Sequence, residues 1–480
     1  MLQNKNTTII SELSDFFTTS EKAINTILTI TRSLKLSDRQ IEFESKCNNE
    51  FRNIDKLIIL LLFPFFDVST VWMHTNSMLY PVFSCSKDVF YRLLNNSFVQ
   101  WRKLSYTIFS RLQKQIELKG SNNQDDKPKC LIIDDTDLPK TGMKIELIGK
   151  VFSHVTQKSL LAFKGLFMGY HDGTSFFALD FSLHGEKGKN KKKPYGLTKK
   201  QLKARFSKNR EKSSIAYLRK EEYSKSKIEQ MIVMLKQAII RGIKFDYILV
   251  DSWFTCFELI KLVNSKKSKH LIGMTKMGKT NYLFEGEKSN AKQIIDIQRR
   301  KKRIKRSRAI KCQYSEVVVD FNGITVKLFF CKTSRKGKWH LLLTTNQSLN
   351  FQEAYKIYST RWSIEVFFKE SKQYLGLGKC QSQDFDAQIA STTICMIQFN
   401  ILSVAKRFAD YESLGELFRG TKAETLQLTM NERIWLIIIE ILSELAEIFE
   451  LDTESLLEKI ISDNEKLTKI SNYTSLLQAG

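Results

Sequence analysis

Apolar residues recur at intervals of three and four along the first 125 residues, which predicts a mainly helical region. The repeat is clearest over 9–17, 23–36 and 89–118. The most apolar run, 57–66, has only ten residues and contains Pro64. Because about 20 apolar residues are needed to cross a membrane, we interpret this run as a buried helix that breaks at the proline.

Short apolar runs in the middle of the chain predict strands. Residues 130–135 and 247–251 are apolar until they end in acidic residues, and 270–275 is a third run of this kind. Strand-like runs over 159–170 and 175–182 flank the sequence His-Asp-Gly-Thr. An Asp-Gly pair between two such runs is typical of a hairpin turn.

The rest of the chain combines helical patterns with a second strand-rich section. One helical pattern extends over 221–241. Residues 276–345 contain strand-like runs, and Asn322-Gly323 between two of them predicts another hairpin. From residue 350 the pattern is helical and includes one helix over 351–375, while 440–465 is acidic and rich in Leu and Ile.

The composition is that of a soluble globular protein with an excess of positive charge. The 480 residues are 42% apolar and 26% charged, which suits about two to four domains and excludes disorder, collagen or a coiled coil as a description of the whole. The net charge of +25 favours a polyanionic partner, with nucleic acid ahead of an anionic membrane surface. The sequence has no long basic amphipathic helix, which disfavours the membrane.

Two segments concentrate the basic residues. Residues 187–212 hold twelve Lys and Arg against one Glu, and 299–308 is basic at eight of ten positions. We interpret both segments as surfaces that contact phosphate groups, which would add affinity without sequence choice. The alternative is an ordinary solvated face.

Cysteine and histidine give no sign of a metal site. The eight Cys form no Cys-x-x-Cys pair and the six His show no ligand spacing, which disfavours zinc. Scattered thiols are typical of a reducing cytoplasm. The first residues lack the pattern of a signal peptide.

Three acids stand where catalytic chemistry is expected. Asp134, or its neighbour Asp135, ends one apolar strand, Asp251 ends another, and Glu365 lies on the predicted helix over 351–375. Open α/β sheets bind ligands at the carboxyl ends of their strands, so neighbouring strands would bring the aspartates together. Clustered carboxylates need a cation, and oxygen ligands without His or Cys favour Mg²⁺ or Mn²⁺. The alternative is that each acid only caps the helix that follows.

A continuous helix over 351–375 would present a polar face suited to a phosphodiester. One arc of about 60° and a row about 20 Å long would carry a phenol, a guanidinium, a carboxylate and an ammonium, from Tyr358, Arg361, Glu365 and Lys372. Glu365 would bind metal, and the other three would hold phosphate oxygens. The alternative is a solvated face with an Arg361–Glu365 ion pair.

The sequence resembles DDE transposases of bacterial insertion sequences, in the group with a Tyr-Arg-Glu-Lys signature. Gaps of two, three and six residues separate the members of that signature, which Tyr358, Arg361, Glu365 and Lys372 match. Asp134 and Thr136 resemble the first-aspartate block, where an Asp is followed one residue on by Thr, and 247–251 resembles the second-aspartate block. Asp135 and Asp137 compete for the first position, and the Asp-x-Thr pattern selects Asp134.

The resemblance spans roughly residues 127–400 and implies a fold. That fold is α/β, with a ribonuclease-H-like core of a mixed sheet flanked by helices and the two aspartates on adjacent strands. The expected regions are a helical DNA-end-binding region (1–125), the first part of the core (126–275), a β-rich insertion (276–345), the second part of the core (346–404) and a helical C-terminal region (405–480).

The resemblance also implies an activity. Asp134, Asp251 and Glu365 would hold two Mg²⁺ or Mn²⁺ ions, and the enzyme would cut double-stranded DNA at transposon ends and join those ends to target DNA. A homodimer in the DNA complex and a bacterial cytoplasmic, nucleoid-associated location would follow. Trp253 and Trp362 would stack on a displaced base, with core packing as the alternative. Rival functions are a nuclease of the same fold that cuts without joining, and a non-catalytic DNA-binding protein descended from a transposase.

Overall fold

The architecture is known from a computed structural model. The structure describes residues 22–41, 51–119, 127–266, 268–334, 337–408 and 411–427. The helical pattern over 9–17 and the acidic segment 440–465 lie outside the described residues.

The strands form one mixed sheet in the described part of the chain. They are β1 (Cys130–Pro139), β2 (Gly149–Ser153), β3 (Lys158–His171), β4 (Phe176–His184), β5 (Tyr247–Val250), β6 (His270–Thr275), β7 (Asn281–Phe284), β8 (Glu287–Asn290), β9 (Lys305–Ser307), β10 (Cys312–Phe321), β11 (Ile324–Lys332) and β12 (His340–Thr344). Their order is β2-β3-β1-β5-β6-β12-β11-β10-β7-β8, with β4 paired to β3 and β9 paired to β10. The predicted mixed α/β architecture is confirmed, and it is consistent with a ribonuclease-H-like fold.

Helices flank this sheet. They are α1 (Lys22–Ser33), α2 (Asp38–Ile41), α3 (Asn53–Leu62), α4 (Lys87–Leu94), α5 (Trp101–Leu118), α6 (Lys199–Lys203), α7 (Ile215–Glu222), α8 (Lys227–Ile240), α9 (Phe257–Asn264), α10 (Ala291–Arg300), α11 (Phe351–Ser359), α12 (Trp362–Tyr374), α13 (Phe385–Phe408) and α14 (414–427). Short 3₁₀ turns cover Phe63–Phe66, Val71–Asn76 and Pro194–Gly196. The predicted helix over 57–66 thus changes to a 3₁₀ turn at Phe63, next to Pro64, because proline cannot continue the α-helical hydrogen bonds.

Burial explains the two strands that carry the aspartates. The first four residues of β1 and all four of β5 are buried and apolar, as expected of parallel strands covered on both faces. β1 and β5 are parallel, with Ile133 opposite Val250. Asp134 and Asp251 therefore both follow the last rung of the parallel β1–β5 ladder. The expectation that Asp134 ends its strand is wrong, because β1 continues to Pro139 in its pairing with β3.

The predicted hairpin turns form. Asp172 Oδ1 accepts hydrogen bonds from the backbone N–H groups of Thr174 and Ser175, at 2.9 and 2.8 Å, between β3 and β4. Between β10 and β11, Asn322 and Gly323 have φ angles of 52° and 82°. Positive φ at both central residues suits the twist of a two-residue hairpin, and Asn and Gly tolerate it best.

The helical pattern over 221–241 belongs to two helices, α7 and α8. The expectation of one helix is wrong because Ser226 begins a new one. The Ser226 hydroxyl accepts from the backbone N–H of Glu229, and the Glu229 carboxylate accepts from the backbone N–H of Ser226, at 3.2 and 3.0 Å. This reciprocal cap satisfies two N–H groups at the start of α8.

Helix α13 joins the N-terminal helices to the sheet. Asn400 holds the backbone of Ala178 in β4 from both sides, with its amide nitrogen and oxygen each 2.8 Å from the backbone oxygen and nitrogen. Gln398 donates to the carbonyl oxygen of Leu60 in α3 at 2.9 Å. Within the described residues α13 alone is long and apolar enough to cross a membrane, but 94% of its most apolar window is buried, as in a core helix.

Candidate active site

Asp134 and Asp251 lie in different environments. The Asp251 Oδ1 atom accepts hydrogen bonds from the backbone N–H groups of Trp253 and Phe254, at 2.9 and 3.1 Å. This turn fixes the direction of the carboxylate. Burial raises the pKa of the Asp134 carboxyl to about 7 against the opposing effect of Arg361, and the negative charge of Asp251 adds to the rise.

Strand alternation separates Asp134 from the acids that compete with it. Successive side chains of a strand point to opposite faces, so Asp135 and Asp137 lie on the face away from Asp134. Lys227 Nζ donates to Asp135 Oδ2 at 2.9 Å, and Lys164 Nζ forms an ion pair with Asp137. The two competing acids are therefore already neutralised by lysines.

The predicted continuous helix over 351–375 is wrong, because the chain tightens between α11 and α12. The Thr360 hydroxyl donates to the carbonyl oxygen of Ile357, and the Ser363 hydroxyl donates to that of Thr360, both at 2.7 Å. The backbone N–H of Arg361 donates to the carbonyl oxygen of Tyr358, only three residues back, at 3.0 Å. Hydroxyls that bond to the preceding turn distort helices, so Tyr358 does not share a straight helix face with the residues of α12.

Arg361 connects two of the predicted catalytic acids. Its Nη1 atom donates to Asp134 Oδ2 at 2.7 Å, and its Nη2 atom donates to Glu365 Oε1. The guanidinium is only 15% exposed. The structure thus brings Glu365, on α12, beside Asp134, which lies 231 positions earlier in the chain and next to Asp251.

The other two signature residues also reach β1 and β5, beside the aspartates. The Tyr358 hydroxyl donates to the carbonyl oxygen of Val250 at 3.2 Å, and burial raises the pKa of Tyr358. The Lys372 ammonium donates to Thr136 Oγ1 at 2.6 Å, and burial lowers the pKa of Lys372. All four signature side chains therefore converge on the place where the parallel pairing of β1 with β5 ends and the two aspartates follow.

The two tryptophans at the site are not core residues. Trp253 is 45% exposed and Trp362 is 62% exposed, so core packing does not describe them. The Trp253 ring rests edge-on against Phe254, and Lys227 Nζ lies 4.0 Å from its centroid. Both indoles are accessible for stacking.

The carboxylates of Asp134, Asp251 and Glu365 are the type of ligand that a hard divalent cation prefers, but the three are not arranged around one ion position. Among the residues that the structure describes, no group of three or more His, Cys, Asp and Glu side chains is placed to hold a metal ion. The physical reason is that Arg361 lies between Asp134 and Glu365 and supplies the positive charge that these acids need. Three carboxylates without His or Cys are ligands of the type that Mg²⁺ or Mn²⁺ prefers.

Several residues at this site had no signal in the sequence that predicted their role. Lys164 and Lys227 reach the site from β3 and α8, and only the fold places them beside β1. Thr136 belongs to the Asp-x-Thr pattern, but only the tertiary structure reveals its contact with Lys372.

The basic segment 187–212 divides into an outward and an inward part. Its exposed lysines, without an ion pair among the described residues, are Lys187, Lys189, Lys191, Lys192, Lys193, Lys199, Lys200, Lys203 and Lys212. Arg210, by contrast, has a side chain 1% exposed and pairs with Glu146, Asp384 and Asp386 at 2.7 to 3.1 Å. Lys208 joins the two aspartates of this cluster. The expectation of one continuous phosphate-contact surface is therefore wrong for this inward part.

The basic segment 299–308 lies on the end of α10 and on β9. Lys301 and Arg303 pair with Glu285, and Lys305 pairs with Glu316. Exposed and without an ion pair in the described part of the chain are Arg300, Lys302, Arg306 and Arg308. The surface keeps a net positive charge after its internal pairs are counted.

Comparison with known proteins identifies the class. The family model of the transposase DDE domain matches residues 126–401, more than half of the chain. The chain therefore belongs to the DDE transposase domain family.

Other comparisons add little. None of the curated proteins matches the chain. Among solved structures, the chain is similar to the NurA nuclease from Sulfolobus solfataricus, with 11% identity over 58% of this chain and 86% of that one and a TM-score of 0.22. A likeness this slight carries no argument.

Proposed function

We propose that the protein is a DNA transposase of the insertion-sequence group with the Tyr-Arg-Glu-Lys signature. It would cut DNA at the ends of its element and join those ends to target DNA. The observation that carries the proposal is the convergence of Asp134, Asp251 and Glu365 where the parallel pairing of β1 with β5 ends, within a chain of the DDE family.

Asp134, Asp251 and Glu365 would hold two Mg²⁺ or Mn²⁺ ions. Bound there, the ions would activate the attacking oxygen and stabilise the leaving oxygen during in-line displacement at phosphorus. Asp251 is ready for this role because its backbone hydrogen bonds fix its carboxylate. Asp134 and Glu365 become available when Arg361 turns from them to a DNA phosphate, which a guanidinium binds through two parallel hydrogen bonds.

The remaining signature residues and the tryptophans would hold the DNA. Tyr358 and Lys372 carry donors beside the two aspartates and would bind phosphate oxygens beside the reacting bond. Trp253 and Trp362 are exposed indoles that adjoin Asp251 and Arg361 in the sequence motifs. They would stack on a base that leaves the duplex, since stacking accepts any base.

The proposed reaction requires more than one subunit. Two DNA ends must be cut and joined together, so we propose a homodimer in the DNA complex and double-stranded DNA as its partner. Residues 1–125 remain the proposed end-binding region, 276–345 the proposed insertion and 405–480 a proposed helical extension. The described part of 1–125 packs into the same hydrophobic core as the sheet. The proposed location is the bacterial cytoplasm, at the nucleoid.

A strand-transfer assay tests the function. A labelled DNA end of the element, still joined to flanking DNA, is incubated with protein, Mg²⁺ and a target plasmid. We expect both cleaved ends and ends joined to the plasmid. Cleavage without joined products would favour the nuclease alternative, and binding without cleavage would favour the non-catalytic DNA-binding alternative.

The outward lysines are expected to contribute to DNA affinity. Changing Lys191, Lys192 and Lys193 together to Gln should weaken binding, because fewer DNA phosphates are neutralised. The slope of log affinity against log salt concentration should fall by about 0.9 for each phosphate that the variant no longer neutralises. Fluorescence anisotropy with a duplex over a range of salt concentrations measures this slope.

Arg210, whose side chain is buried, provides a control for the loss of positive charge from this segment. Arg210→Gln also removes positive charge from the basic segment, but it leaves buried acids unpaired and should cost about 3–5 kcal/mol of stability. The salt slope of the folded variant should stay unchanged. An unchanged slope in the triple lysine variant would contradict the assignment of that surface.

A further inference from the structure

Lys227 contacts one side chain next to Asp134 and another close to Asp251. Its ammonium donates to Asp135 Oδ2 at 2.9 Å, next in sequence to Asp134. The same ammonium lies 4.0 Å from the centroid of the Trp253 ring, in the turn that follows Asp251. One cation therefore links the middle of β1 to the turn after β5.

The position of Lys227 in its own helix does not explain these contacts. It is the first residue of α8, where the positive end of the helix dipole disfavours a cation. The start of α8 is already capped by Ser226 and Glu229. The local sequence thus gains nothing from a lysine here, and the stabilising partners of its charge lie on other elements.

Both contacts of Lys227 restrict the positions of the side chains that it touches. The Lys227 side chain is 16% exposed, so its ion pair with Asp135 and its contact with the indole are partly shielded from water. Asp135 has a second lysine, Lys164, only at 3.9 Å, and that lysine is already paired with Asp137. Trp253, which is half exposed, has Phe254 as its other ring contact.

We propose that Lys227 is a positioning residue of the active site, which holds the Trp253 indole in place and keeps the charge of Asp135 away from Asp134 and Asp251. The proposal rests on the proposed function, because it assigns Lys227 a role in DNA cleavage. Lys227 lies on α8, outside the sequence motifs, and would be a further residue on which the rate of DNA cleavage depends.

Two variants of the full chain test this role. Lys227→Met keeps the length and the apolar stem but removes the charge, while Lys227→Arg keeps the charge and the contact with the ring. We expect Lys227→Met to lower the single-turnover cleavage rate at saturating DNA about 10- to 100-fold, because a small misplacement of the reacting groups is enough to cost that much. We expect Lys227→Arg to restore most of the rate, with DNA affinity and melting temperature close to wild type in both.

Acrylamide quenching of tryptophan fluorescence tests the contact without DNA or metal. Lys227→Met should increase quenching, because the Trp253 ring no longer has the cation that covers it. The increase should vanish when Trp253→Phe is the background for the same change. Unchanged quenching, a large fall in melting temperature or a failure of Lys227→Arg to restore cleavage would overturn the proposal in favour of a purely structural ion pair.

A parallel measurement keeps this proposal separate from the proposed function. Asp251→Asn is assayed beside Lys227→Met with the same DNA end. Full cleavage by Asp251→Asn would refute the proposed active site, whatever Lys227→Met does to quenching. An inactive Asp251→Asn together with wild-type cleavage by Lys227→Met would refute the positioning role alone.

Discussion

Asp251→Asn is expected to reduce the rate of DNA-end cleavage by about a hundred- to a thousandfold or more. The change keeps the size of the side chain, and the amide oxygen can still accept the backbone hydrogen bonds of Trp253 and Phe254. What it removes is the negative charge at the end of β5. A fixed charge that acts on the reacting groups contributes on this scale to catalysis, and a carboxylate that holds a metal ion is such a charge.

The same strand offers a matched control. Asp246 lies just before β5, at the opposite end from Asp251, and its Oδ2 atom accepts from the backbone N–H of Lys129 at 2.7 Å. Asp246→Asn removes the same charge from the same strand but far from the acids of the site. Cleavage should stay near the wild-type rate. Equal reductions in the two variants would mean that the effect reflects the stability of the sheet rather than the chemistry.

Arg361→Gln is expected to have opposite effects on metal binding and on cleavage. In the DNA-free protein Arg361 donates to Asp134 and Glu365 and competes with a cation for them. Hydrogen bonds between charged groups contribute about 1.5–3 kcal/mol each, so removing one such competitor should tighten Mn²⁺ binding about 10- to 100-fold. Cleavage should still fall about a hundredfold, because the glutamine cannot replace the proposed bond between the guanidinium and a phosphate.

Isothermal titration of the DNA-free protein with Mn²⁺ measures the first effect. The double variant Arg361→Gln, Asp251→Asn is the control, since the gain in affinity should disappear if the ion binds among the predicted acids. Arg361→Lys should lie between the wild type and Arg361→Gln, because a lysine keeps the charge without the two-pronged geometry. Equal Mn²⁺ affinity of the wild type and Arg361→Gln would contradict the competition.

The parts of the fold that could be predicted from the sequence are those that local burial decides. β1 and β5 begin with unbroken apolar runs because both faces of the parallel strands are covered, and an acid follows each run. The hairpin at Asn322-Gly323 was predictable because the turn needs positive φ angles. These signals do not depend on distant parts of the chain.

The parts that could not be predicted depend on competition or on distant partners. The pattern over 351–375 has helical periodicity, but the Thr360 and Ser363 hydroxyls compete for carbonyl oxygens and tighten the turn. Arg210 belongs to a basic run, yet its partners Glu146 and Asp384 are brought to it only by the fold. A charge run in sequence is therefore not by itself a DNA surface.

Asp134 and Asp135 are neighbours in the sequence but have different partners in the structure. The Asp-x-Thr pattern selects Asp134 over Asp135 from the sequence. The structure supplies the physical reason that supports that choice: Asp134 faces Arg361, while Asp135 is paired with Lys227 on the other face. No periodicity in the sequence could have paired Lys227 with Asp135, because the two residues are 92 positions apart.

The central claim is that Asp134, Asp251 and Glu365 bind the metal needed for DNA cleavage, and a change of ligand tests it most directly. In Asp251→Cys a thiolate replaces the carboxylate, and sulfur is a poor ligand for Mg²⁺ but a better one for Mn²⁺. We predict that this variant cleaves a DNA end very slowly with Mg²⁺ and recovers a substantial part of the rate with Mn²⁺. Cleavage by Asp251→Cys at the wild-type rate with Mg²⁺ would contradict the claim.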